Sequence, residues 1–212
     1  TQMRIVYLDI EVAADEGFPN IEDADKPLTA ITIKVKDNYY TFGVGDYEPT
    51  DSSIHYAKCK DEKDLIIKFL TIWDSPLVDP DIITGWNVEA FDMPYLVNRI
   101  TRVFRDEGKM AKKLSPWKIV EDREIPSRIS DKVTKAKTIR GCTILDYLSL
   151  YRKFTYSDTE SYSLNHIAHI ELGEKKIDYS EYESLFDLYK HDFQKFIEYN
   201  IHDVTLVSKI DD

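Results

Sequence analysis

Apolar and polar positions alternate from the start of the chain. RIVYLDIEV (residues 4–12) is rich in β-branched residues and reads as a strand. LTAITIKV (28–35) and NYYTFGV (38–44) flank Lys36-Asp37 and predict a hairpin with its turn near Asp37. IHYAKC (54–59) is a further strand. In DEKDLIIKFLTIWDSP (61–76) the apolar spacing becomes helical, after acids that suit a helix start and before Pro76, which ends it. DIITGWN (81–87) predicts a short buried strand and a turn. FDMPYLVNRITRVF (91–104) predicts a helix that tolerates Pro94 in its first turn. Residues 106–142 lack a clear period and predict an inserted loop or hairpin. TILDYLSLY (143–151) reads as a strand running into a helical turn. The remainder is helical, including SYSLNHIAHI (161–170) and HDFQKFIEYNIHDVTLVSKI (191–210). Strands first, then helices interleaved with strands, predict an α/β domain with a mixed sheet.

Composition adds bounds to this pattern. At 212 residues the chain is expected to form one large domain, residues 1–212, with an insertion around 106–142. Cys59 and Cys142 are the two cysteines and form no CxxC pattern, so a reducing, cytoplasmic setting is expected rather than a disulfide framework. Neither a membrane span nor a signal peptide is expected. The first residue is Thr, which suggests a piece of a longer protein. The net charge of −11 argues against a polyanion partner. The distribution qualifies that, because residues 101–140 hold 12 Lys or Arg against 6 Asp or Glu. A basic segment on an acidic body permits nucleic acid, and a solvated loop has the same composition.

The candidate chemistry lies in acids. Asp9 and Glu11, two apart on a strand, point to one face. Asp92 follows the strand and turn of DIITGWN, and Tyr199 and Asp203 stand at i and i+4 on the last helix. Taken singly, each has an ordinary explanation: a strand end turning polar, a helix N-terminal acid, a surface pair. Taken together they could converge, and clustered carboxylates repel unless metal ions are present. An all-oxygen set suits Mg²⁺ or Mn²⁺ rather than zinc. Two such ions can support an in-line phosphoryl displacement.

The segments LDIE, GWNVEAFDMPYL and YNIHD resemble, in order and spacing, the three exonuclease motifs of family B DNA polymerases. DEGFPNIEDADKPLTAITI, and DYLSLYRKF followed by SYSLNHIA, are similar to the polymerases of T-even-type bacteriophages in particular. The resemblance spans nearly the whole chain. It implies a ribonuclease-H-like fold of the DEDD type, with Asp9, Glu11, Asp92 and Asp203 as ligands of two divalent metal ions. Tyr199, four residues before Asp203, implies the tyrosine subclass and would orient the attacking water, with His202 as a bystander. Asn87 and Phe91 would position the terminal nucleotides. A β-hairpin within residues 125–144, carrying Lys132, Lys135, Lys137 and Arg140, would help part primer from template.

The implied activity is proofreading, the metal-dependent removal of nucleotides from a single-stranded or frayed 3′ end of DNA. The implied partner is the remainder of a DNA polymerase, and a monomer is expected, in host cytoplasm if phage-encoded. An RNA-trimming exonuclease and a non-catalytic module of the same fold are the alternatives.

Overall fold

The computed structural model describes residues 2–127, 130–156 and 158–212. Its strands are β1 (Ile5–Val12), β2 (Leu28–Val35), β3 (Asn38–Gly43), β4 (Ile54–Lys58), β5 (Ile82–Thr84), β6 (Val120–Pro126), β7 (Val133–Ile139) and β8 (Thr143–Ile144). Its α-helices are α1 (Glu62–Trp73), α2 (Met93–Phe104), α3 (Tyr147–Phe154), α4 (Leu164–Leu172), α5 (Leu185–His191) and α6 (Phe193–Asp211). Six strands form one sheet in the order β4-β3-β2-β1-β5-β8, and β6 pairs with β7 apart from it. β1, β2 and β3 run antiparallel in succession, whereas β4, β5 and β8 each join a parallel neighbour. The sheet is therefore mixed, with helices on both faces.

The two-residue period of β1 sorts its side chains between those faces. Val6, Leu8 and Ile10 enter a core with Leu65 and Phe69 of α1 and Leu96 and Ile100 of α2. Tyr7 packs in a separate cluster with Leu206 and Val207 of α6. Asp9 and Glu11 share the phase of Tyr7, and this brings two acids under a long helix. The adjoining strand supplies the same face with Ala30, which packs on Phe196, Ile197 and Ile201.

Residues 106–127 and 130–142 are more ordered than their polarity predicts. A 3₁₀ turn, Ala111–Leu114, buries both of its end residues in the main core, and Trp73 Nε1 donates to the Leu114 carbonyl at 2.9 Å. The hairpin that follows begins earlier than expected, at Val120, because Ala136 and Ile139 of β7 are buried and hold both strands down. Arg128 and Ile129, within the predicted hairpin stretch, lie outside the described residues. The predicted 191–210 helix starts instead at Phe193, where Asp192 accepts from the Lys195 N–H and caps it. α5 ends just before that break. Among the described residues, no helix is long and apolar enough to cross a membrane.

Gly85 sets how closely β5 can approach the acid-bearing strand. A Cβ there would lie 2.5 Å from the Leu8 carbonyl oxygen, one residue from Asp9. Backbone cannot swing aside as a side chain can, so Gly85→Ala is expected to destabilise the protein by about 1–3 kcal/mol. A urea midpoint equal to that of the parent would contradict that closeness.

Candidate active site

Three elements meet at one end of the sheet. β1 contributes Asp9 and Glu11, α6 contributes Tyr199 and Asp203, and the segment after β5 contributes Asp92. One carboxylate oxygen from each of Asp9, Glu11 and Asp203 lies within 4.8 Å of the others. Asp92 is buried beside them, and its Oδ1 accepts from the Ile10 N–H at 3.1 Å. These side chains line a cleft of about 530 Å³, together with Asn87 and Phe91.

Asp92 is not simply the first residue of a helix. It closes a π-helical turn, Val88–Asp92, that precedes α2. The turn starts at Asn87 in the left-handed region (φ 63°), a conformation Asn adopts more readily than most residues. Buried Asp146 holds the turn in place. It accepts from the N–H groups of Asn87 (3.0 Å) and Glu89 (3.1 Å) and caps α3 through the Leu148 N–H (3.0 Å). π turns carry an extra residue and recur at functional sites; this one carries Asp92 up to β1.

Three residues that sequence reasoning did not single out complete the arrangement. Asn200 donates from Nδ2 to Asp9 Oδ2 at 2.8 Å and accepts from the Thr32 hydroxyl at 2.6 Å, so Asp9 is oriented from the helix above it. Lys176, between α4 and α5, brings Nζ within 2.9 Å of Asp203 Oδ2 and donates to the Tyr199 hydroxyl at 3.1 Å. Asp146 is the third. Each acts on the site through a contact remote in sequence, and the one local signal, Asp146 as the cap of α3, does not point to the acids. His202 points elsewhere, its Nε2 3.0 Å from the Lys175 carbonyl oxygen.

The electrostatics are those of acids short of cations. Burial, and then the charge of Asp203, push the Asp9 carboxyl up to about 7, against Lys176 and Asn200, which pull it down. Glu11 and Asp92 also lie above the usual carboxylate range, through burial first and the Asp9 charge second. Burial raises Asp203 as well, and Lys176 opposes it. Burial and the Asp203 carboxylate lift the Tyr199 phenol, so it stays protonated at neutral pH. Burial disfavours the charge on Lys176, but Asp203 and Tyr199 outweigh that and keep it charged. Lys176 is the only cation lining the cleft among the described residues. Asp203 Oδ1 is buried without a hydrogen-bond partner. An unpartnered carboxylate oxygen beside two crowded acids fits a hard cation.

The remaining expected contacts are distributed differently. Phe91 lines the cleft but also stacks on Tyr95, with centroids 5.6 Å apart, so it belongs to core and cleft alike. None of Lys132, Lys135, Lys137 and Arg140 lines the cleft. Lys135 pairs with Glu22 at 3.1 Å, Lys137 with Asp122, and Arg140 with Glu121 at 2.7 Å, while Lys132 is exposed.

A mixed sheet that gathers acids from its central strand, a π turn and its last helix defines a class of acid-centred α/β domain. The sequence matches the model of the DNA polymerase family B exonuclease domain over residues 1–167, and the chain belongs to that family. It is 33% identical to a DNA-directed DNA polymerase of Escherichia phage RB69, over 100% of the chain and 26% of that protein. A DNA-directed DNA polymerase of Enterobacteria phage T4 is 30% identical, over 99% of the chain and 25% of that protein. A DNA polymerase delta catalytic subunit of Caenorhabditis elegans is 30% identical over 91% and 18%. The chain thus spans about a quarter of the length of the phage polymerases it matches.

Proposed function

We propose that the chain is a metal-dependent 3′→5′ DNA exonuclease domain of ribonuclease-H-like fold, acting within a longer DNA polymerase to remove mispaired 3′-terminal nucleotides as monophosphates. The observation that carries this reading is the convergence of Asp9, Glu11 and Asp203, with Asp203 Oδ1 unpartnered in a buried position. Asp9, Glu11, Asp92 and Asp203 would hold two divalent cations, Mg²⁺ or Mn²⁺. Such ions would neutralise charge building on the scissile phosphate and make a neighbouring water more acidic.

The chain's own residues would do the positioning. Tyr199 accepts from Lys176, which leaves its O–H free to orient a water at the edge of the acid cluster. With its phenol raised, Tyr199 serves as a donor that aims the water and not as a base. Asn200 fixes the rotamer of Asp9, and Asp146 fixes the turn that bears Asp92. Asn87 and Phe91 would border the terminal nucleotide. A paired end must unstack before it reaches a cleft of this size, so single-stranded or frayed ends are the expected substrate. The partners are that DNA end and the rest of the polymerase chain, and the domain acts as a monomer.

The test is digestion of a 5′-labelled single-stranded DNA oligomer with Mg²⁺ or Mn²⁺ beside an EDTA control. A ladder shortening from the 3′ end, absent in EDTA, is expected. No digestion, together with no thermal stabilisation by Mn²⁺, would overturn the reading.

A further inference from the structure

A cavity of about 590 Å³ adjoins the carboxylate cleft, between α6 and the segment that joins α4 to α5. Its volume is in the usual range for small-molecule sites. The two spaces share a wall, since Lys176, Tyr179 and Tyr199 line both. Their charge is opposite. Asp9, Glu11, Asp92 and Asp203 line the cleft with Lys176 as its cation, whereas Lys175 and Lys176 line the cavity against one acid, Asp178. From this contrast we infer that the cavity receives the reaction product, a deoxynucleoside 5′-monophosphate, before it leaves the protein. This assignment rests on the exonuclease reading and extends it to the fate of the product.

Hydrolysis changes the charge that these walls meet. The water's oxygen joins phosphorus, the bond to O3′ breaks, and O3′ takes up one of the water's two protons. A diester of one negative charge becomes a monoester that sheds the other proton and carries about −1.5 to −2 at neutral pH. The product thus gains charge as it loses its tether to the strand, and the cleft's cation, Lys176, stands in the shared wall. In-line attack also fixes where the new oxygen faces. Tyr199 would aim the water, so that oxygen ends on the Tyr199 side, at the same wall. O3′ and the strand withdraw on the opposite side.

Beyond the wall the cavity suits both halves of a nucleotide. Lys175 is exposed, and its side chain has no acidic partner among the described residues. Asn165 accepts from the Lys176 N–H at 2.9 Å, which leaves its amide Nδ2 to donate. Asp178 accepts from the Ser180 N–H at 2.9 Å and the Ser180 hydroxyl at 3.1 Å, so its charge is engaged within its own turn. Tyr179 stands edge-on to Tyr199, with centroids 5.4 Å apart, and forms with Ile177 an apolar wall for base and sugar.

The test compares the parent chain with Lys175→Ala, using dTMP, thymidine and inorganic phosphate as probes. Each probe is titrated by calorimetry in EDTA and added as an inhibitor of 3′-end digestion in Mg²⁺. Without metal the acids of the cleft repel phosphate, so dTMP bound in EDTA reports the cavity. Loss of one charge-assisted hydrogen bond should weaken dTMP binding by the variant roughly tenfold. Thymidine should not bind, and inorganic phosphate should bind more weakly than dTMP. In digestion, dTMP should lower turnover without raising the KM for DNA ends, and the variant should resist it. Single-turnover digestion by the variant should match the parent, because Lys175 lines the cavity and not the cleft. Inhibition competitive with DNA, or equal dTMP binding by parent and variant, would return the product to the acids and overturn the assignment. Phosphate binding as tightly as dTMP would leave an anion site without nucleotide preference and overturn it too. Digestion without any dTMP binding overturns this assignment alone, whereas no digestion by the parent overturns the exonuclease reading with it.

Discussion

Glu11→Gln is expected to lower 3′-end digestion by more than about 100-fold while raising the melting temperature in metal-free buffer. The activity loss should exceed the 10–100-fold typical of residues that merely support metal ligands, because Glu11 would be a ligand itself. The stability gain follows from the crowding of Asp9, Glu11 and Asp203. Asp9 is pushed up to about 7, and Glu11 is raised by burial and by its two acidic neighbours. A carboxyl raised in the fold binds protons there that the unfolded chain has already lost, so stability falls as pH rises from about 4 through about 7. The metal-free parent should therefore melt lower at pH 8 than at pH 5, and the variant should lose part of that dependence. At pH 8 the variant should melt several degrees higher, the residual solvent access of Asp9 and Glu11 keeping the gain modest. Mn²⁺ should stabilise the parent and not the variant. A variant that melts lower than the parent in EDTA at pH 8 would mean that Glu11 supports the fold and not a metal.

Such opposed effects on stability and activity are characteristic of groups assembled against their own repulsion. They also explain which parts of the site were legible in the sequence. Asp9 and Glu11 could be placed on one face because a strand's period is short and local. Tyr199 and Asp203 could be placed together because a helix repeats every turn. The common pocket depends instead on β1 lying parallel to β5, with Val6 opposite Ile83, and on α6 crossing above β1. Neither is a local property, and the convergence was readable only through family resemblance. Lys176 is one of two adjacent lysines in GEKKID, and nothing nearby distinguishes it from Lys175, whose carbonyl faces His202. Asp146 acts on residues some sixty positions earlier, so the π turn it pins was read as the start of a helix. VEDREIP, the first hairpin strand, hides its conformation behind charges that serve as partners: Arg123 to Glu89, Asp122 to Lys137, Glu121 to Arg140. The same pairs alter the meaning of the basic segment. Several of its cations already have acidic partners within the protein and are not held free for a polyanion.

Lys176→Met should separate the chain's internal cation from the metals it stands beside. In the metal-free protein, Lys176 offsets Asp203 at 2.9 Å and is itself mostly enclosed, its side chain 28% exposed. Removing one partner of a buried ion pair costs about 3–5 kcal/mol, and partial exposure here brings the expectation to roughly 2 kcal/mol. For a chain of this size that is a fall in melting temperature of about 4–8 °C in EDTA. Mn²⁺ should restore much of the loss, because a divalent ion at Asp203 supplies the charge that Lys176 gave. The affinity for Mn²⁺ should rise, since Lys176 no longer competes for that carboxylate. Digestion should nevertheless fall at saturating Mn²⁺, because the Tyr199 hydroxyl loses the donor that holds it at 3.1 Å. Lys176→Arg, which keeps the charge, should recover most of the metal-free stability and less of the turnover, as a planar guanidinium cannot reproduce a point donor between two oxygens. Calorimetric titration with Mn²⁺, read beside the melting curves, decides the matter. Weaker Mn²⁺ binding by the Met variant would mean that Lys176 shapes the metal site and does not compete for it.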